Sequence, residues 1–89
     1  DTLNNDPNIN VRLSAIEALY LFSDSPLVKS GLIEALKKQS SPLVQVALVD
    51  LLVKIREKRS IKALRGLLKG QKTDPEVKRF TKKGIERLL

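Results

Sequence analysis

The sequence predicts an all-α chain, an α-solenoid in which antiparallel helix pairs stack into a right-handed superhelix of five helices and about two and a half repeats. Three observations lead to this prediction: a 33-residue internal period, apolar residues at helical spacing within each period, and four prolines that each follow Ser or Asp. The 89 residues have the size of one domain, so residues 1–89 are expected to fold as a single unit.

The 33-residue period is read from apolar residues that recur at that interval. The aligned sets are Val11, Val44 and Val77, then Leu19, Leu52 and Ile85, then Phe22, Ile55 and Leu88. Within one copy these positions are separated by eight and then three residues, which is the stripe of a 3.6-residue helix and not the alternation of a strand. A period of this length is typical of repeats whose helices stack around one continuous core.

The prolines indicate where helices begin. Ser and Asp cap the free N–H groups of a first helical turn, and Pro is favoured in that turn because it has no N–H to leave unbonded. The four pairs are Asp6-Pro7, Ser25-Pro26, Ser41-Pro42 and Asp74-Pro75. Gly70 is placed where a C-cap is expected. The predicted helices span residues 8–22, 26–38, 42–56, 60–69 and 75–88.

The amino-acid composition argues against catalysis and against the usual zinc sites. The chain has no His and no Cys, so the usual zinc sites, Ser-His-Asp triads and Cys-His pairs cannot be assembled from it. We therefore expect no catalytic residue, no cofactor and no metal. Asp50 and Glu57 are interpreted as solvated carboxylates, and the calcium-like spacing of Asp6, Asn8 and Asn10 as helix capping. The longest apolar run, residues 46–53, is far shorter than the roughly 20 residues that cross a bilayer.

Charge is concentrated in the C-terminal part of the chain. Of a net charge of +7, residues 1–53 hold 4 basic and 6 acidic side chains, whereas residues 54–89 hold 13 basic and 4 acidic ones. This excess is read as a solvated face, or as a surface for an acidic protein or lipid head groups. The alternative is nucleic-acid binding, with phosphate contacts from Lys54, Arg56, Lys58, Arg59, Lys78, Arg79, Lys82 and Lys83. Neither a Gly-rich phosphate loop nor an aromatic stacking series accompanies them.

One set of residues resembles a known family. Asp6-Pro7, followed by Val11-Arg12 and by Ala15, Ala18 and Leu19, is similar to the second helix of a HEAT repeat, and the resemblance extends over essentially the whole chain. The later copies depart from this pattern. They have Val44-Gln45 and Val77-Lys78 in place of Val-Arg, and Ser41 where the family often has Asp, so an inter-repeat Asp–Arg ladder is in doubt.

A closer similarity is carried by three segments: DPNINVR, SPLVQVALVDLLV and REKRSIKAL. Together they resemble the C-terminal HEAT segment of bacterial membrane-anchored proteins that carry an N-terminal zinc-finger, anti-sigma-factor-like domain. That resemblance implies an extracytoplasmic location, and without it a cytoplasmic one is expected. Because the sequence has no Met and opens on Asp1, we expect it to be a piece of a longer protein.

The function expected from these features is a non-catalytic protein-interaction or scaffold module. The partner is another protein, and nucleic acid is the alternative. The surface is expected to include Arg12, Glu17, Gln45, Asp50, Lys78, Arg79, Lys82 and Lys83. Dimerisation is a further expectation, because the first helix lacks a preceding partner helix and is predicted to uncover Leu13, Ile16 and Tyr20.

Overall fold

Five α-helices account for most of residues 8–89, which are the residues that the computed structural model describes. They are α1 (Ile9–Tyr20), α2 (Pro26–Lys38), α3 (Pro42–Lys54), α4 (Ile61–Lys69) and α5 (Pro75–Leu88), with a 3₁₀ turn at Lys58–Ser60 before α4. No strand occurs in this range. The prediction of an all-α chain with five helices is confirmed for residues 8–89.

Three of the predicted Ser-Pro and Asp-Pro pairs begin helices. Ser25, Ser41 and Asp74 are the N-caps of α2, α3 and α5, and the following proline lies in the first turn. The Asp74 carboxylate accepts a hydrogen bond from the backbone N–H of Glu76 at 2.8 Å, whereas the Ser41 side chain makes no capping bond. At Ser41, α3 therefore begins on the backbone preference of Pro and on the packing of its apolar residues.

Helix α1 begins and ends differently from the predicted range 8–22. Asp6-Pro7 lies outside the described residues, and the N-cap is Asn8, whose Oδ1 accepts from the backbone N–H of Asn10 at 2.9 Å. At the other end, the N–H groups of Leu21 and Phe22 bond carbonyls three residues back. The chain thus leaves α1 through tight turns after Tyr20.

The end of α3 is set by an arginine in the left-handed region. Arg56 has φ 59°, and its N–H donates to the carbonyl of Val53 at 3.0 Å. The N–H of Glu57 donates to the carbonyl of Leu52, also at 3.0 Å. These two bonds form a Schellman motif, which most often has Gly at the left-handed position. No glycine marks this stop, and the predicted helix therefore extended too far, to residue 56.

The helices pack in two layers. In one layer α1 lies against α3 and α3 against α5, and in the other α2 lies against α4. Contacts between the layers join α2 to α3 and α4 to α5. The extents of 27 × 26 × 15 Å agree with a slab two helices thick, since packed helices lie about 8–10 Å apart.

The core is centred on α3. Val44, Leu48, Val49 and Leu52 are fully buried, because neighbouring helices cover α3 in its own layer and from the other layer. Gly84 of α5 permits a close approach here. A Cβ at this position would lie 3.1 Å from Cγ2 of Val53 and 3.2 Å from Cγ1 of Val49.

The exposed side of α1 is not the predicted one. Ile16 is buried in the core, and Leu13 is half-buried, because both belong to the side of α1 that packs on α3. The expectation that α1 uncovers Ile16 is therefore wrong, although Tyr20 is exposed. Val11 and Phe22 are exposed as well, whereas their counterparts 33 and 66 residues later are more buried.

Replacing Leu48 by Ala should destabilise the fold by about 2–5 kcal/mol, because the lost methyl groups leave a cavity that fully packed neighbours cannot fill. Leu43→Ala is the matched control on the same helix, where the side chain is 63% exposed and the cost should stay below about 0.5 kcal/mol. Urea unfolding followed by circular dichroism measures both. Equal losses for the two variants would contradict the central role of α3.

Arg56→Gly should stabilise the protein by about 0.5–1 kcal/mol, because glycine adopts positive φ without the clash that a Cβ suffers. Thermal unfolding should show a rise of a few degrees in Tm. Lys58→Gly is the control, since Lys58 lies in the 3₁₀ turn and only Arg56 has positive φ among the described non-glycine residues. A lower Tm for Arg56→Gly would show that the arginine side chain itself stabilises this turn.

Candidate functional site

The 33-residue period places rows of side chains across the layer formed by α1, α3 and α5. Glu17 and Asp50 line one groove between α1 and α3, and Asp50 and Lys83 line another between α3 and α5. Glu17, Asp50 and Lys83 are spaced 33 residues apart in the sequence. Equivalent positions of α1, α3 and α5 therefore lie next to each other in the structure. We call the solvent-facing side of this layer the outer face.

The groove between α1 and α3 has mixed charge. Its volume is about 290 Å³, and it is lined by Leu13, Ile16, Glu17, Tyr20, Ala47, Asp50, Leu51 and Lys54. Nζ of Lys54 lies 2.9 Å from Oδ2 of Asp50. This hydrogen bond, followed by the charge of Asp50, raises the pKa of Lys54 above its usual value. Asp50 is therefore engaged in a local ion pair with Lys54.

The groove between α3 and α5 is cationic and has an aromatic wall. One part, of about 280 Å³, is lined by Val46, Glu76, Arg79, Phe80 and Lys83, and it continues along Asp50, Val53, Gly84 and Arg87. Arg79 forms an exposed ion pair with Glu76 at 3.1 Å. Lys83 and Arg87 form no ion pair with any of residues 8–89.

Sequence reasoning selected Arg79 and Lys83 but missed their neighbours in this groove. Phe80 is partly exposed between them, and Arg87 extends the row of positive charge. The 33-residue period contains the missing signal, because Arg87 aligns with Lys54 just as Lys83 aligns with Asp50. Lys82 is exposed on α5 and lines neither outer-face groove described above, and Lys78 is half-buried.

Gln45 was predicted to be exposed, and this is wrong. Its side chain is 7% exposed, and Nε2 donates to the backbone carbonyl of Gln39 at 2.8 Å. Oε1 of Gln39 accepts from Nη1 of the half-buried Arg12 at 2.8 Å and from the backbone N–H of Ser41 at 3.2 Å. This Gln39 network links α1, the α2–α3 loop and α3. Arg12 and Gln45 therefore hold neighbouring helices together and line neither groove of the outer face.

Glu57 is also buried, against the expectation of a solvated carboxylate. Its side chain is 6% exposed, and Arg59 donates to it from Nε at 2.9 Å and from Nη2 at 3.0 Å. The Arg59 side-chain bond is the largest cause that lowers the pKa of Glu57, and Lys29 contributes through its charge. The arrangement holds the 3₁₀ turn at the start of α4.

Metal-binding clusters and membrane-spanning helices are both absent from residues 8–89. No group of three or more His, Cys, Asp or Glu side chains in this range is arranged to hold a metal ion. No helix in it combines the length and the apolar character needed to cross a bilayer. Of the calcium-like residues, Asp6 lies outside the described range, and Asn8 caps α1.

Comparison with known proteins identifies no relative: no protein-family model, no curated protein and no solved structure matches the chain. The resemblance to HEAT repeats therefore stays a prediction that rests on the residues quoted for it.

Glu57→Gln should lower the free energy of unfolding by about 1 kcal/mol at neutral pH, since it removes a charge-assisted pair. The folded-state pKa of Glu57 lies below its usual value of 4.5, so the stabilisation is present above that value and is lost as pH falls through the folded-state pKa. Denaturant unfolding of both proteins from pH 7 to pH 3 should show the difference become smaller as the pH falls below 4.5.

Glu76→Gln is the control for this prediction. It removes an ion pair of the same type whose side chains are 67% and 73% exposed, and water screens such pairs. Its effect should be smaller than that of Glu57→Gln at neutral pH. A difference between wild type and Glu57→Gln that grows towards pH 3 would show that the carboxylate is not stabilised by Arg59.

Proposed function

We propose that this chain is a non-catalytic protein-interaction module of the HEAT-repeat kind, a right-handed solenoid whose partner docks on the outer face of α1, α3 and α5. One observation carries this proposal: the outer face has two adjacent grooves, and the α1 end of the face is acidic whereas its α5 end is basic. Glu17 lies at the α1 end, and Lys83 and Arg87 lie at the α5 end. The absence of His and Cys from the sequence supports a binding role.

The HEAT part of the proposal is supported by residue columns that match the packing. Val44 and Val77 are buried at equivalent positions of α3 and α5, each beneath a helix of the second layer. Gln45, which stands where a HEAT repeat has Arg, takes part in a different contact between helices. In place of an Asp–Arg ladder, the Gln39 network links the guanidinium of Arg12 on α1 to the amide side chain of Gln45 on α3. A solenoid repeat needs such a link wherever it must satisfy buried polar groups between copies.

A protein partner suits the distribution of charge better than nucleic acid does. Lys54, Arg59 and Arg79 were candidate phosphate contacts, and each forms an ion pair with a neighbouring carboxylate. Neutralised cations attract a polyanion less strongly. A face with both signs of charge favours a partner whose charges match both, and Phe80 offers an apolar contact among the cations.

The closer resemblance adds a location to the proposal. In a membrane-anchored protein with an anti-sigma-factor-like domain, this module would lie on the extracytoplasmic side and bind a protein there. Self-association through α1 is a second element, supported by the exposed Val11 and Phe22.

The test is a peptide selection against the wild-type protein by phage display, followed by affinity measurements. Selected peptides should carry carboxylates next to an apolar residue that contacts Phe80. Arg79→Glu combined with Lys83→Glu should weaken their binding about tenfold or more, because attraction at the α3–α5 groove becomes repulsion. Lys69→Glu with Lys72→Glu is the control, with the same change in net charge at exposed residues outside both outer-face grooves.

Circular dichroism of the variants excludes unfolding as the cause of any loss. Equal affinities for the Arg79/Lys83 variant and the wild type would reject the outer face. Titration with duplex DNA at low and high salt provides the competing outcome. Salt-dependent DNA binding that the Arg79/Lys83 variant loses, without any peptide selected, would favour the nucleic-acid alternative.

A further inference from the structure

The second layer contains a larger groove than either groove of the outer face. It lies between α2 and α4 and has a volume of about 560 Å³, within the usual range of small-ligand sites. It is lined by Ile33, Leu36, Lys37, Gln39, Gln45, Arg59, Lys62, Ala63, Gly66, Leu67 and Thr73. Because Arg59 precedes α4 and Thr73 follows it, the groove extends along this nine-residue helix, a length of about 13 Å.

The floor of this α2–α4 groove is apolar. Leu36 is fully buried at its base, and Ile33, Ala63 and Leu67 remain half-buried along its walls. Partly exposed aliphatic walls gain free energy when a further apolar group covers them. The floor therefore favours a ligand with an extended aliphatic chain.

The rim of the groove holds one unneutralised positive charge. Lys37 forms an ion pair with Glu34 at 3.1 Å, and Arg59 forms its pair with Glu57. Lys62 is exposed and forms no ion pair with any of residues 8–89. Among the described residues that line the groove, none is acidic. A ligand with a single negative charge complements this rim.

Gly66 forms part of the wall of the groove. It lies inside α4, where glycine weakens a helix relative to alanine, so a packing reason for it is expected. Yet a Cβ at this position would have no atom within 4 Å. The missing side chain thus relieves no steric conflict in the protein, and its effect is to leave space in the wall of the groove.

We propose that the α2–α4 groove binds an amphipathic monocarboxylate with a linear aliphatic chain. The chain lies over Leu36 and Leu67 and passes Gly66, and the carboxylate is held by Lys62. The linear shape follows from the length of the groove, and the single charge from the single free cation. This site is on the opposite layer from the outer face and does not depend on the proposed protein-interaction function.

Decanoate is the probe, measured by isothermal titration calorimetry and by chemical-shift changes of the α2 and α4 amides. Decanoate should bind saturably, with a Kd on the order of 0.1 mM. Decyltrimethylammonium, with the same chain and the opposite charge, should bind at least tenfold more weakly. Acetate, with the carboxylate and no chain, should not bind measurably. The comparison with decyltrimethylammonium tests the contribution of the carboxylate, and the comparison with acetate tests that of the aliphatic chain.

Gly66→Leu tests the location without weakening the helix, because leucine is a better helix former than glycine. Its side chain should occupy the groove and reduce decanoate affinity at least tenfold, while Tm stays the same or rises. Gly31→Leu is the matched control: the same change on α2, at an exposed glycine with open space around it and outside the groove. It should leave the affinity unchanged.

Lys62→Gln tests the charge. It should weaken decanoate binding five- to tenfold and narrow the difference between decanoate and decyltrimethylammonium. Lys69→Gln, at an exposed lysine outside the groove, should alter neither. The proposal is overturned if wild-type protein shows no saturable decanoate binding, if Gly66→Leu binds as tightly as wild type, or if an acidic peptide occupies the groove in preference to decanoate.

Discussion

The burial of α3 is the interaction on which the rest of the structure depends. Val44, Leu48 and Leu52 have no exposed surface, because α1 and α5 flank α3 in one layer and α2 covers it from the other. A small chain buries a limited fraction of its surface, so a central helix covered on several sides supplies much of the hydrophobic free energy that holds two thin layers together. The close approach at Gly84 lets α5 reach this helix. This core fixes the positions of the helices, and the outer-face grooves and the α2–α4 groove are the spaces between those helices.

The two layers present different chemistry because ion pairs neutralise charge unequally on them. On the outer face, Asp50 forms an ion pair with Lys54, while Lys83 and Arg87 form none with any of residues 8–89, so the positive potential is concentrated towards α5. On the opposite side, a net charge remains at Lys62 alone among the cations of the α2–α4 groove. The overall charge of +7 therefore does not show where on the surface a negatively charged ligand is attracted. Screening over about 10 Å in salt makes these local differences, and not the total, decide which ligand each surface attracts.

Helix α1 is less completely covered by other helices than α3 and α5, with which it aligns in sequence. Its side towards α3 buries Ile16, yet Val11 and Phe22 are exposed, at positions where α5 has the buried Val77 and Leu88. The same sequence pattern thus has different burial in different copies, since burial depends on whether a helix of the second layer lies above. Polar groups follow the same rule. Gln45 and Glu57 are buried because Gln39 and Arg59 satisfy them, and a buried polar group is stable only with such partners.

The sequence by itself determined the helices and the register of their apolar stripes. Ser25-Pro26 and Asp74-Pro75 are local signals that act within one turn, and the 33-residue period selected Val44 and Leu52, two of the buried core residues of α3. The tertiary structure alone decided which polar side chains are buried, where α3 stops and where the grooves lie. The left-handed residue at the end of α3 is Arg56 and not the glycine that would have indicated a helix end in the sequence. Gly66 borders a groove only because α2 lies opposite it. Capping and periodicity depend on neighbours along the chain, whereas burial, ion pairing and open space depend on contacts between helices that are distant in sequence.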